Sequence, residues 1–145
     1  TENVAAIVGF GRAAVLAQER LSAEAERLSS LRAHFESELL TRVDGIRING
    51  ASAPRLCNTS NIAFLGVDSQ RLLVRLDLLG IAVSTGAACS SMNDEPSHVL
   101  LAMGRDEREA RSCLRFSFGR GTERAELERV LSTLTALVRD LRGRS

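Results

Sequence analysis

The sequence predicts an α/β fold of the α+β kind, in which helices cover a small mixed or antiparallel sheet and a long N-terminal helix precedes that sheet. Two observations support this prediction. Apolar residues recur every three or four positions near both ends of the chain, which is typical of helices with one buried face. Between these regions, short alternating apolar segments are separated by turn residues such as Asp44-Gly45, as expected for strands.

The beginning of the chain has helical character in two parts. Residues 4–17 are rich in Ala, Val and Ile, and this composition predicts a buried helix. The residues that follow are amphipathic, and they predict one buried stripe made of Leu21, Ala25, Leu28, Leu31, Phe35 and Leu39. The pattern leaves open whether the two parts form one helix or two.

Four short segments have the character of strands. They are residues 46–48, 61–65, 81–84 and 114–118. In the last of them the side chains alternate between two faces of the sheet. Leu114, Phe116 and Phe118 fall on one face, and Arg115 and Ser117 fall on the other.

Two helices are expected between the strands. Asp68 or Ser69 can cap the first of them, which ends at Gly80. Pro96 is placed where the first turn of the second helix tolerates proline. The residues expected to face inward from the second helix are Val99, Leu100 and Met103.

The remaining segments are one loop and one helix. Residues 85–95 are rich in small and polar residues and have no apolar period, so they predict a mobile loop. Thr122 can cap the final helix. Its buried stripe is predicted to contain Leu127, Val130, Leu131, Leu134, Val138 and Leu141.

The composition excludes several classes of function. The net charge is +1 and aromatic residues make up only 3%, so nothing favours nucleic acid or an anionic membrane surface. No apolar run reaches the ~20 residues that a membrane span needs. There is no GxGxxG loop, no GxSxG motif and no His/Asp/Glu cluster for a metal.

Cys89 is the best candidate for a reactive group. It follows a predicted strand in a small, polar segment, where a thiol is exposed and can reach a substrate. The alternative is that Cys89 merely fills a loop. Cys57 and Cys113 adjoin strands and are more typical of small buried residues, and no CxxC pattern is present, so we expect reduced thiols and no disulfide framework. Arg115, on the polar face of a strand, is suited to binding a carboxylate.

Three motifs together resemble the C-terminal part of NifS/IscS-type cysteine desulfurases, which are pyridoxal-phosphate enzymes of the class V aminotransferase fold. They are residues 84–91 (STGAACSS), 95–100 (EPSHVL) and 114–120 (LRFSFGR). The opening residues TENVAAIVG resemble the family segment that leads into the small domain. The resemblance therefore covers the whole chain and implies the C-terminal domain of the fold type I pyridoxal-phosphate transferases. It further implies that residues 1–43 form a linking helix or helices and that residues 44–145 form the small C-terminal domain with the catalytic-cysteine loop.

The resemblance implies a role for three residues. Cys89 matches the cysteine that takes sulfur from L-cysteine as a persulfide and releases alanine, Arg115 matches the arginine that holds the substrate carboxylate, and Thr1 matches a threonine that reaches the cofactor phosphate of the partner subunit. It further implies a cytoplasmic homodimer that passes sulfur to an iron–sulfur scaffold or another acceptor protein. Asn58 and Asn61 receive no catalytic role.

One departure from the family limits what the chain can do alone. All 19 basic residues are arginine, so the lysine that forms a Schiff base with pyridoxal phosphate has no counterpart. Family members are much longer and carry the cofactor-binding domain ahead of this region. We therefore expect a small-domain fragment that binds no cofactor and is inactive alone. The alternatives are a non-catalytic sulfur carrier or interaction fragment, and a related selenocysteine lyase.

Overall fold

The computed structural model describes residues 1–86 and 96–143. The elements in chain order are α1 (Val4–Arg42), β1 (Ile46–Ile48), β2 (Thr59–Phe64), α2 (Ser69–Leu78), α3 (His98–Ala102), α4 (Glu107–Ala110), β3 (Cys113–Ser117) and α5 (Arg124–Gly143). This arrangement confirms the predicted fold class: a long N-terminal helix and further helices cover a small antiparallel sheet.

The sheet has three strands in the order β1-β2-β3, and both pairings are antiparallel. The predicted strand at residues 81–84 was wrong, because only Ser84 pairs with β3, opposite Arg115. The reason lies at the end of α2, where Gly80 has a φ of +73°. The backbone N–H of the next residue, Ile81, donates to the carbonyl of Leu76, so the chain stays bonded to α2 before it approaches β3.

The main core lies between one face of the sheet and helices α1, α2 and α5. Phe35 of α1 is fully buried, and its ring centroid is 5.1 Å from that of Phe116 and 5.6 Å from that of Phe118. The inward face predicted for β3 is therefore confirmed. The predicted stripe of α5 is also confirmed, with only Val130 partly buried among its members.

The opposite face of the sheet carries a smaller apolar cluster beneath α3 and α4. Its members are Ala63, Leu100, Ala110 and Cys113. The prediction that Val99 and Met103 face inward was wrong, since both are exposed and only Leu100 is buried. Pro96 does not lie in the first turn either, because α3 begins at His98 after an N-cap at Ser97. The helix spans a single turn, so it has room for one inward side chain.

Helix α1 is a single continuous helix, but only its second half reaches the core. Leu28, Phe35 and Leu39 are buried, whereas Val8 is 65% exposed and Phe10 is 79% exposed. The prediction that residues 4–17 are buried was therefore wrong for the described part of the chain. Apolar composition indicates a face that favours burial, but it does not show whether another part of the molecule covers that face.

Polar contacts hold the second half of α1 against α5. The Nε2 atom of His34 lies 2.8 Å from Oε1 of Glu128, and the Arg42 guanidinium lies 2.8 Å from Oε2 of the same carboxylate. Hydrogen bonds from His34 and Arg42 hold the pKa of Glu128 below its ordinary value, the His34 bond having the larger effect. The seam between the two helices thus combines an apolar stripe with an ionic rim.

Two predicted helix caps have different outcomes. Asp68 is the N-cap of α2, and its carboxylate accepts from the backbone N–H groups of Gln70 and Arg71. Thr122 does not cap α5, because it lies two residues before the helix begins. Its hydroxyl accepts from the backbone N–H of Gly119 instead. In the described ranges, no helix is both long enough and apolar enough to cross a bilayer.

Candidate functional site

Arg115 lies on the face of the sheet opposite the main core, where the sequence placed it. It is half-buried on the central part of β3. Its backbone exchanges two hydrogen bonds with Ser84: the N–H of Arg115 donates at 2.6 Å and its carbonyl accepts at 3.2 Å. Within residues 1–86 and 96–143, no hydrogen bond or ion pair occupies the Arg115 guanidinium. A cation with a fixed backbone and an open end is suited to binding an anion.

Ser84 also forms hydrogen bonds with Gly86, which lies three residues before Cys89. Its hydroxyl donates to the carbonyl of Gly86 at 3.0 Å and accepts from the N–H of Gly86 at 3.3 Å. Gly86 has a φ of +145°, which residues with a side chain rarely adopt, and an added Cβ would lie 3.6 Å from that of Ser97. Cys89 itself lies outside the described residues. The chain thus enters its segment from a point bonded to the Arg115 strand.

A chain of polar contacts lies beside Arg115, and the sequence did not indicate it. We call it the amide relay, made of Glu109, Cys113, Asn49 and Asn61. The Cys113 thiol donates to the backbone carbonyl of Glu109, with 3.2 Å between sulfur and oxygen. The Nδ2 atom of Asn49 donates to Cys113 Sγ at 3.3 Å and to Asn61 Oδ1 at 2.7 Å. Asn61 is the residue of β2 directly opposite Arg115.

The relay contains an unsatisfied buried atom. Asn49 is only 4% exposed, and its Oδ1 has no hydrogen-bond partner in the described part of the chain. Leaving a buried acceptor unpaired costs about 1–3 kcal/mol. Exchanging the oxygen and nitrogen of the Asn49 amide would not remove this cost, because the Cys113 sulfur and the Asn61 oxygen both accept from the Asn49 amino group. The surrounding contacts therefore impose one orientation on Asn49.

The two described cysteines differ in burial. Burial raises the pKa of the Cys113 thiol to about 11, well above its usual range. A protonated, buried thiol is a poor nucleophile. Cys57 is half-buried and packs against the main core. The burial of Cys113 confirms its interpretation as a small buried residue. Cys57 is less buried, and its role stays a prediction.

Arg27 holds the turn that follows β3. Its guanidinium donates to the carbonyls of Thr122, Gly119 and Arg120 at 3.0, 3.1 and 3.0 Å, and it pairs with Glu24 at 3.0 Å. One side chain of α1 thus satisfies three carbonyls of the turn at 119–122. This contact fixes the end of the strand that carries Arg115.

Thr1 is remote from these groups. It precedes α1 at the end of the exposed half of that helix, and no described residue joins it to the Arg115 strand. The contact with a partner subunit's cofactor that the family resemblance implies for Thr1 stays a prediction.

A cleft of about 550 Å³ lies where residues 80–83 diverge from β3. It is lined mainly by apolar groups of that segment, β3 and the first turns of α5, with Glu126 and Arg129 at its rim. Among the described residues, neither Arg115 nor a cysteine lines it. No group of three or more possible metal ligands occurs in the part of the chain that the structure describes.

The fold and these motifs match a known family. The family model described as aminotransferase class V matches residues 1–130. The chain therefore belongs to the class V aminotransferase family.

The most similar proteins found include cysteine desulfurases. A protein described as cysteine desulfurase IscS from Dictyoglomus turgidum is 41% identical over 142 residues, which is 98% of this chain and 36% of that protein. A cysteine desulfurase from Rhodobacter capsulatus is 43% identical over 142 residues, with 98% and 37% covered. The chain thus spans about a third of the length of these curated relatives.

A solved structure gives the same result. The X-ray structure of a NifS-like protein from Rickettsia africae superposes with a TM-score of 0.80 and 31% identity, covering 97% of this chain and 36% of that one. The resemblance of the sequence to NifS/IscS-type proteins is therefore confirmed.

Class V aminotransferases use pyridoxal phosphate, so we asked whether these residues fit it. The cofactor binds such enzymes through a lysine Schiff base. All 19 basic residues of this sequence are arginine. The residues present therefore do not fit covalent attachment of the cofactor.

Proposed function

We propose that the chain supplies the sulfur-accepting and substrate-binding half of a cysteine desulfurase. Cys89 takes the sulfur of L-cysteine, and Arg115 binds the substrate carboxylate. Residues 1–43 form the linking segment and residues 44–145 the small domain. The observation that supports this most is the open guanidinium of Arg115 on a strand bonded through Ser84 to the segment that contains Cys89.

The proposed step transfers the sulfur of L-cysteine to the Cys89 thiol. A sulfur–sulfur bond forms between Cys89 and the substrate sulfur, and the carbon–sulfur bond of L-cysteine breaks. The carbon that loses sulfur gains a proton, so the products are alanine and a persulfide on Cys89. Arg115 contributes by holding the carboxylate, because a guanidinium and a carboxylate form two parallel charge-assisted hydrogen bonds.

The rest of the proposal concerns what the chain works with. Pyridoxal phosphate and its lysine come from a polypeptide segment outside these residues, and Thr1 reaches the cofactor phosphate of a partner subunit in a homodimer. The acceptor of the sulfur is an iron–sulfur scaffold or a similar protein in the cytoplasm. The names of the relatives support the desulfurase activity. The cofactor segment, the Thr1 contact, the homodimer, the acceptor and the cytoplasmic location follow from the family resemblance, and each of them remains a prediction for this chain.

A chimera tests the proposal. The 145 residues replace the matching third of the Dictyoglomus turgidum relative, which supplies the remaining sequence. We expect alanine and sulfide from L-cysteine in the presence of a thiol reductant. The matched Cys89→Ala chimera should keep its cofactor absorbance and release no sulfide. Equal activity of the two chimeras would reject the assignment of Cys89.

The absence of lysine from these residues favours a second candidate function, in which the chain carries sulfur on Cys89 without catalysing its release from L-cysteine. Incubating the 145-residue chain with a persulfide donor and no cofactor, followed by mass spectrometry, separates the two functions. A carrier gains a sulfur atom on Cys89, whereas the desulfurase half gains sulfur only in the chimera with L-cysteine. Turnover of selenocysteine in preference to L-cysteine by the chimera would indicate a selenocysteine lyase.

A further inference from the structure

We propose that Asn61 is a second carboxylate donor beside Arg115 and determines specificity for substrates that carry an α-carboxylate. This inference rests on the proposed function, in which Arg115 holds that carboxylate. It extends the substrate site from one strand to two, since Asn61 belongs to β2 and Arg115 to β3.

The sheet register brings the two side chains together. Asn61 and Arg115 are directly opposed in the β2–β3 pairing. The backbone N–H and carbonyl of Arg115 both bond to Ser84, which lies on the side of β3 away from β2. The carbonyl of Asn61 accepts from the N–H of Asn49, on the side of β2 away from β3, at 2.9 Å. The two residues therefore form a pair without mutual backbone hydrogen bonds. Such pairs have Cα atoms about 4.5 Å apart, with their side chains adjacent on the same face.

The amide relay determines whether the oxygen or the amino group of the Asn61 side chain is free to bind a substrate. The Cys113 thiol has one proton and donates it to Glu109, so its sulfur accepts from Asn49. Asn49 therefore presents its amino group, and its second proton goes to Asn61 Oδ1 at 2.7 Å. The oxygen of Asn61 is used, and its amino group is left as a donor. No described residue accepts from that amino group.

Two side chains that each carry a donor without a partner in the described ranges are thus adjacent on one face of the sheet, and one of them is cationic. The long, flexible stem of arginine allows the guanidinium to lie above the Asn61 amide. A carboxylate has two oxygens that accept hydrogen bonds, so one group can satisfy both donors. The unpaired oxygen of Asn49 supports this assignment, because a buried acceptor left unsatisfied marks a network held in a required orientation.

The test compares L-cysteine with cysteamine, which has the same thiol and amine but no carboxylate. Binding of each is titrated by the cofactor absorbance of the chimera in a Cys89→Ala background, where sulfur transfer cannot proceed. Asn61→Ala should weaken binding of L-cysteine about tenfold and leave cysteamine unchanged, because a hydrogen bond to a charged group is lost. The matched control is Asn58→Ala, whose side-chain oxygen accepts only from Thr59 in the described part of the chain.

Asn61→Asp separates substrate contact from a structural role. The aspartate keeps the oxygen that accepts from Asn49 but puts a negative charge next to the substrate carboxylate. We therefore expect Asn61→Asp to weaken L-cysteine binding more than Asn61→Ala does. A purely structural Asn61 predicts the reverse order, since aspartate preserves the relay contact.

The outcomes distinguish this inference from the proposed function. A working chimera in which Asn61→Ala leaves the preference for L-cysteine over cysteamine unchanged overturns the inference alone, and so does an Asp variant milder than the Ala variant. A parent chimera that neither binds nor converts L-cysteine overturns the proposed function, and this inference with it. If Asn61→Asp does not fold, the Ala variant still decides.

Discussion

Glu36 is the only charged residue among the buried polar residues of the described chain, and replacing it with glutamine should destabilise the protein strongly. The side chain is 8% exposed. Its two oxygens accept from the Arg55 guanidinium at 2.8 and 3.0 Å, and Oε1 also accepts from the Ser60 hydroxyl at 2.7 Å. Glu36→Gln keeps the volume but leaves the Arg55 charge without its partner.

The expected loss follows from the burial of both partners. Breaking a buried ion pair by removing one charge costs about 3–5 kcal/mol. The Arg55 side chain is 19% exposed, and glutamine keeps one acceptor oxygen, so we place the loss in free energy of unfolding at about 3 kcal/mol. For a chain of this size that corresponds to a fall in Tm of about 10 °C.

Urea unfolding followed by circular dichroism measures this loss. The matched control is Glu38→Gln, because Glu38 lies on the same helix and forms an ion pair with Arg42, one turn further on, at 2.7 Å, and both side chains are much more exposed than Glu36. Pairs one turn apart on a helix contribute about 0.3–0.5 kcal/mol, so the control should unfold almost like the parent chain. If Glu36→Gln costs no more than Glu38→Gln, the argument from burial is refuted.

The same residue predicts a dependence on pH. Burial alone would raise the pKa of Glu36, but hydrogen bonds from Arg55 and Ser60 outweigh burial and hold it below its ordinary value. A carboxylate with a lowered pKa stabilises the fold fully above its unfolded pKa of about 4.3. That contribution is lost as the pH falls through the folded pKa. The stability difference between the parent and Glu36→Gln should therefore shrink in acid.

Three further predictions concern other parts of the fold. Cys113 should resist iodoacetamide at mildly alkaline pH until urea unfolds the chain, because burial keeps its thiol protonated; mass spectrometry showing its modification in the folded chain would contradict this. Phe35→Ala should cost about 3–5 kcal/mol in urea unfolding, whereas Leu78→Ala, at a site 80% exposed, should cost less than about 0.5 kcal/mol; equal costs would refute the packing described. Arg27→Ala should speed amide hydrogen exchange in residues 119–122, since three carbonyl contacts are lost; unchanged exchange there would refute that contact.

The elements that local sequence specifies were predictable. The stripe of α5, the Asp68 cap and the two faces of β3 follow from spacing and from side-chain chemistry within a few residues. The exposed first half of α1 was not predictable, because an apolar stripe does not reveal what covers it. The prediction that Thr122 caps α5 was wrong because its hydroxyl bonds to Gly119. At the start of α5 the Glu126 carboxylate accepts from the backbone N–H of Glu123.

The candidate site divides in the same way. Arg115 could be identified because alternation on one strand separates it from its apolar neighbours. Asn61 could not, since its partner Asn49 is on another segment and Cys113 is distant in sequence. Only the pairing of segments that are distant in the sequence brings these groups together, and the residues next to Asn61 in the sequence do not indicate it.

The central claim is that Cys89 accepts sulfur, and peptide mass spectrometry of the chimera after one exposure to L-cysteine tests it most directly. The reaction is stopped without reductant, and the peptides that contain Cys57, Cys89 and Cys113 are compared. The proposal predicts one additional sulfur atom on Cys89 and none on the other two cysteines. An unmodified Cys89 in a chimera that still produces alanine, or sulfur on either of the other cysteines in its place, would contradict it.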